Sequence, residues 1–168
     1  MWLIRAKLPA LAQAIVKPLV ENELILTDAP ADVQADVLAV LEQYMRDEQE
    51  LSTKARDIAS GRNAAPSDAS RIRKELARQQ GIGIGEEAID YMLNQLVEML
   101  LHSGSVEEIF AQDHELKLAM RIPLRKEETA AEQADEAVRK RLKHVQEGTS
   151  QWEIEYQRMR EEMTRRRS

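Results

Sequence analysis

One apolar stripe constrains this chain more than any other feature. Val33, Val37, Val40, Leu41, Tyr44, Met45, Glu48, Leu51, Ala55 and Ile58 recur mostly at three- and four-residue steps. That is the period of one helix face, held here for about seven turns. At 1.5 Å per residue such a helix is roughly 45 Å long. Thr27-Asp28-Ala29-Pro30 supplies a capping side chain and an early proline at its start, and Gly61 and Asn63 stop it. A fold containing this element is built from helices. The composition agrees: 43% of residues are hydrophobic but only 4% aromatic, with a single Phe110. Such a mix packs through aliphatic and Ala contacts and suits a β-sandwich badly.

The rest of the chain reads the same way. Leu8, Leu11, Ile15 and Leu19 predict a helix over 8–21, with Pro9 in its first turn and Pro18 placed to kink or end it. Leu24 to Leu26 form a short apolar link. Pro66-Ser67-Asp68 opens a short helix carrying Ile72 and Leu76. The most apolar helix runs from Ala88 to Leu101, and Ser103-Gly104-Ser105 ends it. Ser105-Val106-Glu107-Glu108 has the capping-box pattern and predicts a short turn containing Ile109 and Phe110. Asp113 caps a long helical stretch to about Val145, with a kink expected near Met120 to Pro123. Ser150-Gln151-Trp152-Glu153 is a second capping box. It opens a last helix with Trp152, Tyr156, Met159 and Met163 on one face.

An internal repeat follows from this map. Gln13 to Leu24 resembles Gln95 to Val106, and each copy leads into a long helix and then a shorter one. The period is about 80 to about 83 residues, and the likeness is one of pattern rather than identity. The expected fold is all-α: two small helical lobes from a duplicated three-helix unit, joined by long helices into an elongated shape. The expected domains are residues 1–80 and 81–168.

Several functions fall away on composition. The chain has no Cys, which excludes disulfides, thiolate metal sites and cysteine nucleophiles. The net charge of −6 argues against a generic nucleic-acid binder. No apolar run is long enough for a membrane span, which needs roughly 18 residues. The cationic, apolar start loosely mimics a signal peptide, but Lys17 and Pro18 interrupt it, so a cytoplasmic location is expected.

The candidate motifs mostly have structural readings. Gly81-Ile82-Gly83-Ile84-Gly85 suggests a phosphate loop, yet it follows a helix, lacks a Walker-type Lys and precedes Glu86 and Glu87. It reads as a linker with helix caps. His102, His114 and His144 form no H-x-x-x-H pair, and His102 is placed to cap carbonyls. Carboxylates are numerous but lie beside Arg or Lys on outer helix faces. No catalytic residues, no metal ligands and no cofactor are assigned.

Two sets of residues remain. Arg139, Lys140, Arg141 and Lys143 end one helix, and Arg165, Arg166 and Arg167 end the last. Cations there suit the helix dipole, and they are also candidate phosphate or nucleic-acid contacts. If the last two helices fold back on each other, the clusters lie at opposite ends. Trp152 and Tyr156, with Trp2 at the start, are candidate interface residues, although an aromatic–methionine stripe is usually core.

The segment Arg141-Leu142-Lys143-His144-Val145-Gln146-Glu147-Gly148-Thr149-Ser150-Gln151-Trp152-Glu153-Ile154-Glu155-Tyr156-Gln157 resembles the ending of bacterial proteins grouped as domain of unknown function 507. Ala88-Ile89-Asp90-Tyr91, Asn94-Gln95, Glu98 to Ser103 and Lys7-Leu8-Pro9 through Val20 are similar to other parts of that family. The resemblance covers nearly the whole chain and implies a helical, soluble protein. It brings no established activity and no catalytic residues. The sequence therefore predicts a non-enzymatic interaction or adaptor protein with a protein partner. Nucleic-acid association through the basic clusters is one alternative, and an enzyme with a site between the lobes is another.

Overall fold

The computed structural model describes residues 1–166. The protein is all-α apart from one two-stranded ribbon. Among the described residues the helices are α1 (Leu8–Glu21), α2 (Pro30–Gly61), α3 (Pro66–Gln80), α4 (Ala88–His102), α5 (Asp113–Arg141) and α6 (Ser150–Arg166). The strands are β1 (Ile25–Leu26) and β2 (Glu108–Ile109). Short 3-10 turns at Arg5–Lys7 and Gly85–Glu87 lead into α1 and α4. The elements thus run in one series and then again: 3-10 turn, helix, two-residue strand, long helix, shorter helix.

Burial follows the same repeat. The buried residues of α1 are Leu8, Leu11, Ala12, Ile15, Val16 and Leu19. At one constant interval along the chain, each has a buried counterpart in α4: Ile89, Met92, Leu93, Leu96, Val97 and Leu100, in the same order. Beyond the strands the interval is slightly longer. Val33, Val37, Leu41, Ala55 and Ala59 then answer to Leu116, Met120, Leu124, Val138 and Leu142.

In place of the expected turn, Glu108–Ile109 form a strand that ends just before Phe110. Ile25 pairs with Ile109 and Leu26 with Glu108, antiparallel. The Glu107 N–H donates to the Leu26 carbonyl at 2.8 Å and the Phe110 N–H to the Leu24 carbonyl at 2.9 Å. Backbone groups that a helical turn would have satisfied locally are met across the ribbon. Thr27 Oγ1 clamps its edge by donating to the Ser105 carbonyl at 2.6 Å. Neither internal proline ends its helix: α1 continues past Pro18 to Glu21, and α5 past Pro123 to Arg141.

The chain divides into two compact units, and the division falls inside α5. Leu3–Arg125 forms the first unit and the residues from Lys126 onward form the second. The units do not part at residue 80, because α4 packs on α2 and joins apolar faces from both sides of that position. In the first unit α2 also packs on α1 and α3. In the second, α5 and α6 close around Val138, Leu142 and Trp152, with Val145, Tyr156, Met159 and Met163 packed against them. The α6 cap is Thr149, one residue before the expected Ser150. Its Oγ1 accepts from the Trp152 N–H at 3.2 Å.

Candidate functional site

Three of the six described residues in the basic clusters, Arg139, Lys140 and Arg166, are paired with neighbouring carboxylates. Arg139 Nε donates to Asp135 Oδ2 at 2.9 Å, and its Nη1 donates to Glu147 Oε1 at 2.5 Å. Lys140 lies 2.9 Å from Glu136, and Arg166 lies 2.6 Å from Glu162. Arg141, Lys143 and Arg165 are exposed. Arg167 lies outside the described residues. The α5–α6 hairpin also keeps the clusters apart. Tyr156 bonds Asp135, so α6 runs back along α5 from the turn that follows Arg141. Arg165 sits nine residues beyond Tyr156, roughly 14 Å further from that turn.

The aromatic stripe is core. Trp152 is only 8% exposed. Its ring stacks on Tyr156 at 4.8 Å between centroids, and Arg139 lies over both rings, 5.4 Å from Trp152 and 5.8 Å from Tyr156. The guanidinium is thus held by two carboxylates and two ring faces at once. Asp135 is the hub of this network. Partial burial pushes its carboxyl up, but the hydrogen bonds from Tyr156 and Arg139 and the charges of Arg139 and Arg160 outweigh that and hold it below the ordinary value. Burial pushes Tyr156 up, and its bond to Asp135 adds to the rise. Trp2, the third candidate interface residue, is partly buried.

The glycine loop has a packing role. At Gly83 an added Cβ would lie 2.7 Å from Tyr91 Cβ and 2.8 Å from the Glu87 carbonyl oxygen, so only glycine fits. The close approach lets the Gly83 carbonyl accept from the buried Tyr44 hydroxyl at 3.0 Å. Burial pushes Tyr44 up to about 12, with the Arg73 charge opposing and Tyr91 adding to the rise. Gly81 closes α3 in the left-handed conformation at φ 68°. His102 likewise closes α4, its Nδ1 donating to the Glu98 carbonyl at 2.8 Å.

Sequence reasoning placed Glu48 on the α2 stripe without a partner. It is 5% exposed and ion-paired with Arg73 of α3. The Met1 ammonium lies 4.0 Å from the same carboxylate. Arg73 Nε is buried and has no hydrogen-bond partner. Beyond Arg73 lies a groove of about 640 Å³, with Lys74 and Arg78 on one side and Glu86 and Glu87 on the other. Opposite charges on facing walls favour neither a bare anion nor a bare cation. Arg78 is moreover taken up by Glu75, at 2.7 Å.

The features that sequence reasoning missed are apolar and exposed. The inner face of α5 buries Leu116, Met120 and Leu124, yet Leu118 is 62% exposed and Ile122 72% exposed. These two are one turn apart and share the outward face with Arg125. On the ribbon, Leu24 lies opposite Phe110, so Leu26 and Phe110 share the face turned away from the buried Ile25. Phe110 is 59% exposed.

Among the described residues, no group of three or more His, Asp or Glu could hold a metal ion. No helix among them is long and apolar enough to cross a membrane. Fold and surfaces together define an all-helical protein of two compact units, with exposed apolar faces on the first. The whole chain, residues 1–168, matches the model of a family described as protein of unknown function (DUF507), and the chain belongs to that family. No curated protein matches it.

Proposed function

We propose that this protein is a non-enzymatic, cytoplasmic bacterial interaction module, built by duplication of one helical series, that docks proteins on its first compact unit. The observation that carries this reading is the pair of outward apolar faces, Leu118 and Ile122 on α5 and Leu26 and Phe110 on the ribbon. Single exposed aliphatic side chains are common. Here large apolar side chains recur on one face of each element, a pattern associated with docking. Nucleic-acid binding has less support, because Arg139, Lys140 and Arg166 are each engaged by a carboxylate of their own unit.

A photo-crosslinking side chain placed in cells at Leu118, and separately at Phe110, tests the reading. Discrete protein adducts from at least one position are expected. Irradiation that yields no adduct from either overturns it.

A further inference from the structure

The groove beyond Arg73 has the size of a ligand site. Its volume is about 640 Å³, and such sites span roughly 300–1,000 Å³. All of its lining belongs to the first compact unit. One wall is α3, and the other is the loop from Ile82 to Glu87. The loop is held in place from behind. The buried Gly83 carbonyl accepts from the Tyr44 hydroxyl, and the Ile82 N–H donates to the Ala77 carbonyl at 2.9 Å. Ile82 and Ile84 flank Gly83 and line the groove together with Ala77, giving it an apolar stretch. Charge stands on both sides of that stretch, with Lys74 on the α3 wall and Glu86 and Glu87 on the loop wall. All three are exposed, and none has an ion-pair partner among the described residues. Other cations of α3 are matched differently: Arg71 and Arg78 are each paired with an acid three residues earlier, Asp68 and Glu75. The groove thus keeps unmatched charges of both signs on opposite sides of apolar side chains.

We propose that this groove binds a short apolar peptide as a zwitterion, with its terminal carboxylate at Lys74, its terminal ammonium at Glu86 and Glu87, and its side chains on Ala77, Ile82 and Ile84. The site shares no residue with the outward faces of α5 and the ribbon, so it stands or falls separately from them. A bare anion would meet the two glutamates, and a bare cation would leave Lys74 unmatched. A peptide with both ends free answers both walls and covers the apolar stretch between them. Three residues of extended chain reach about 10 Å, which suits a cleft of this volume. Arg73 lines the groove next to Lys74, and its buried Nε–H has no acceptor. An unmet donor at this end is a second reason to seat the carboxylate on α3.

The test uses the purified full-length chain labelled with nitrogen-15 and the tripeptide leucyl-alanyl-leucine as probe. The amide signals of Ala77, Gly83 and Gly85 are followed as the peptide is added. Saturable shifts are expected. The N-acetylated peptide and the peptide amide are each expected to bind about fivefold more weakly, the scale of one ion pair in an open groove. Lys74→Met is expected to bind the free acid and the amide equally while still preferring the free ammonium. Glu86→Gln with Glu87→Gln is expected to do the reverse. All three positions are exposed, and the discrimination that each variant retains is its own control for folding. Absence of saturable shifts overturns the proposal, and so do shifts confined to residues outside the groove. Undiminished binding of the N-acetylated peptide also overturns it and assigns the groove to the carboxyl end of a protein chain. Undiminished binding of the amide overturns it in favour of an amino end.

Discussion

The two helical hairpins, α2–α3 and α5–α6, solve one packing problem with opposite materials. The first hairpin buries alanines: Ala55 and Ala59 in α2 and Ala77 in α3. At the corresponding places α5 has Val138 and Leu142, and α6 has Arg160 in place of Ala77. Where the first hairpin buries the Glu48–Arg73 pair, the second has Ala131 and Tyr156. Small side chains let helices approach closely but remove little apolar area from water, so the first hairpin also leans on a buried charge pair and on neighbours α1 and α4. The second unit buries few apolar side chains and fills its seam with Trp152 and methionines. The first hairpin is therefore vulnerable to loss of a charge partner, and the second to loss of volume.

The largest effect is expected at Trp152. Trp152→Ala removes the biggest side chain of a three-residue buried cluster, at a cost of about 3–5 kcal/mol. Amide hydrogen exchange should show protection falling over residues 126–166 while α1 and α4 keep theirs. Unchanged protection in α5 and α6 would mean that the hairpin does not depend on its aromatic filling.

Arg73→Met attacks the other hairpin. It leaves Glu48 buried without its guanidinium, which costs about 3 kcal/mol. The double variant Glu48→Met, Arg73→Met should return to within about 1 kcal/mol of the wild type, because an apolar pair of similar volume needs no compensation. Urea unfolding of the three proteins checks this. A double variant as weak as the single one would show that the pair contributes more than mutual neutralisation.

Gly83→Ala should cost about 1–3 kcal/mol, since the new methyl meets Tyr91 Cβ and the Glu87 carbonyl oxygen at under 3 Å. Its carbonyl also receives the Tyr44 hydroxyl, which links the loop to alkaline stability. The Tyr44 value is raised in the folded protein, so its contribution is complete below pH 10 and is lost as pH rises towards about 12. Thermal unfolding followed from about pH 9 upwards should show a decline that Tyr44→Phe reduces.

Much of this was legible in the residues and some was not, for physical reasons. Helices were readable because α1, α2 and α4 keep a helical period of about 3.6 over many turns. The ribbon was not, because two-residue strands carry no period and exist only through their pairing. The two apolar faces at the start of α5 were not read, because Leu116, Leu118, Met120, Ile122 and Leu124 alternate along one stretch, and only tertiary packing decides that Leu116 and Met120 go inside while Leu118 and Ile122 stay outside. Glu48 stood in an apolar stripe, a signal that a partner had to exist; finding Arg73 required knowing where α3 packs. The basic clusters carried their own warning, since Asp135, Glu136 and Glu162 stand four residues before Arg139, Lys140 and Arg166.

The smallest predicted effect separates the hairpins by acid. Asp135 is held below its ordinary value of 3.8 in the folded protein. Its contribution to stability is therefore present above about pH 4 and is lost as pH falls through the lowered folded value. Protonation would weaken the acceptor for the Tyr156 hydroxyl and remove the charge that pairs with Arg139 and Arg160, loosening the layer over Trp152. The near-ultraviolet circular dichroism of the stacked Trp152–Tyr156 pair should fade at low pH, and Asp135→Asn should flatten part of that step while weakening the signal at neutral pH. Many other carboxylates titrate in the same range, so the difference between wild type and Asp135→Asn is the quantity to read. Identical acid profiles for the two proteins would mean that the aromatic pair is held by packing alone. In that case the charge network of the second hairpin would be a surface feature rather than the counterpart of the buried pair in the first.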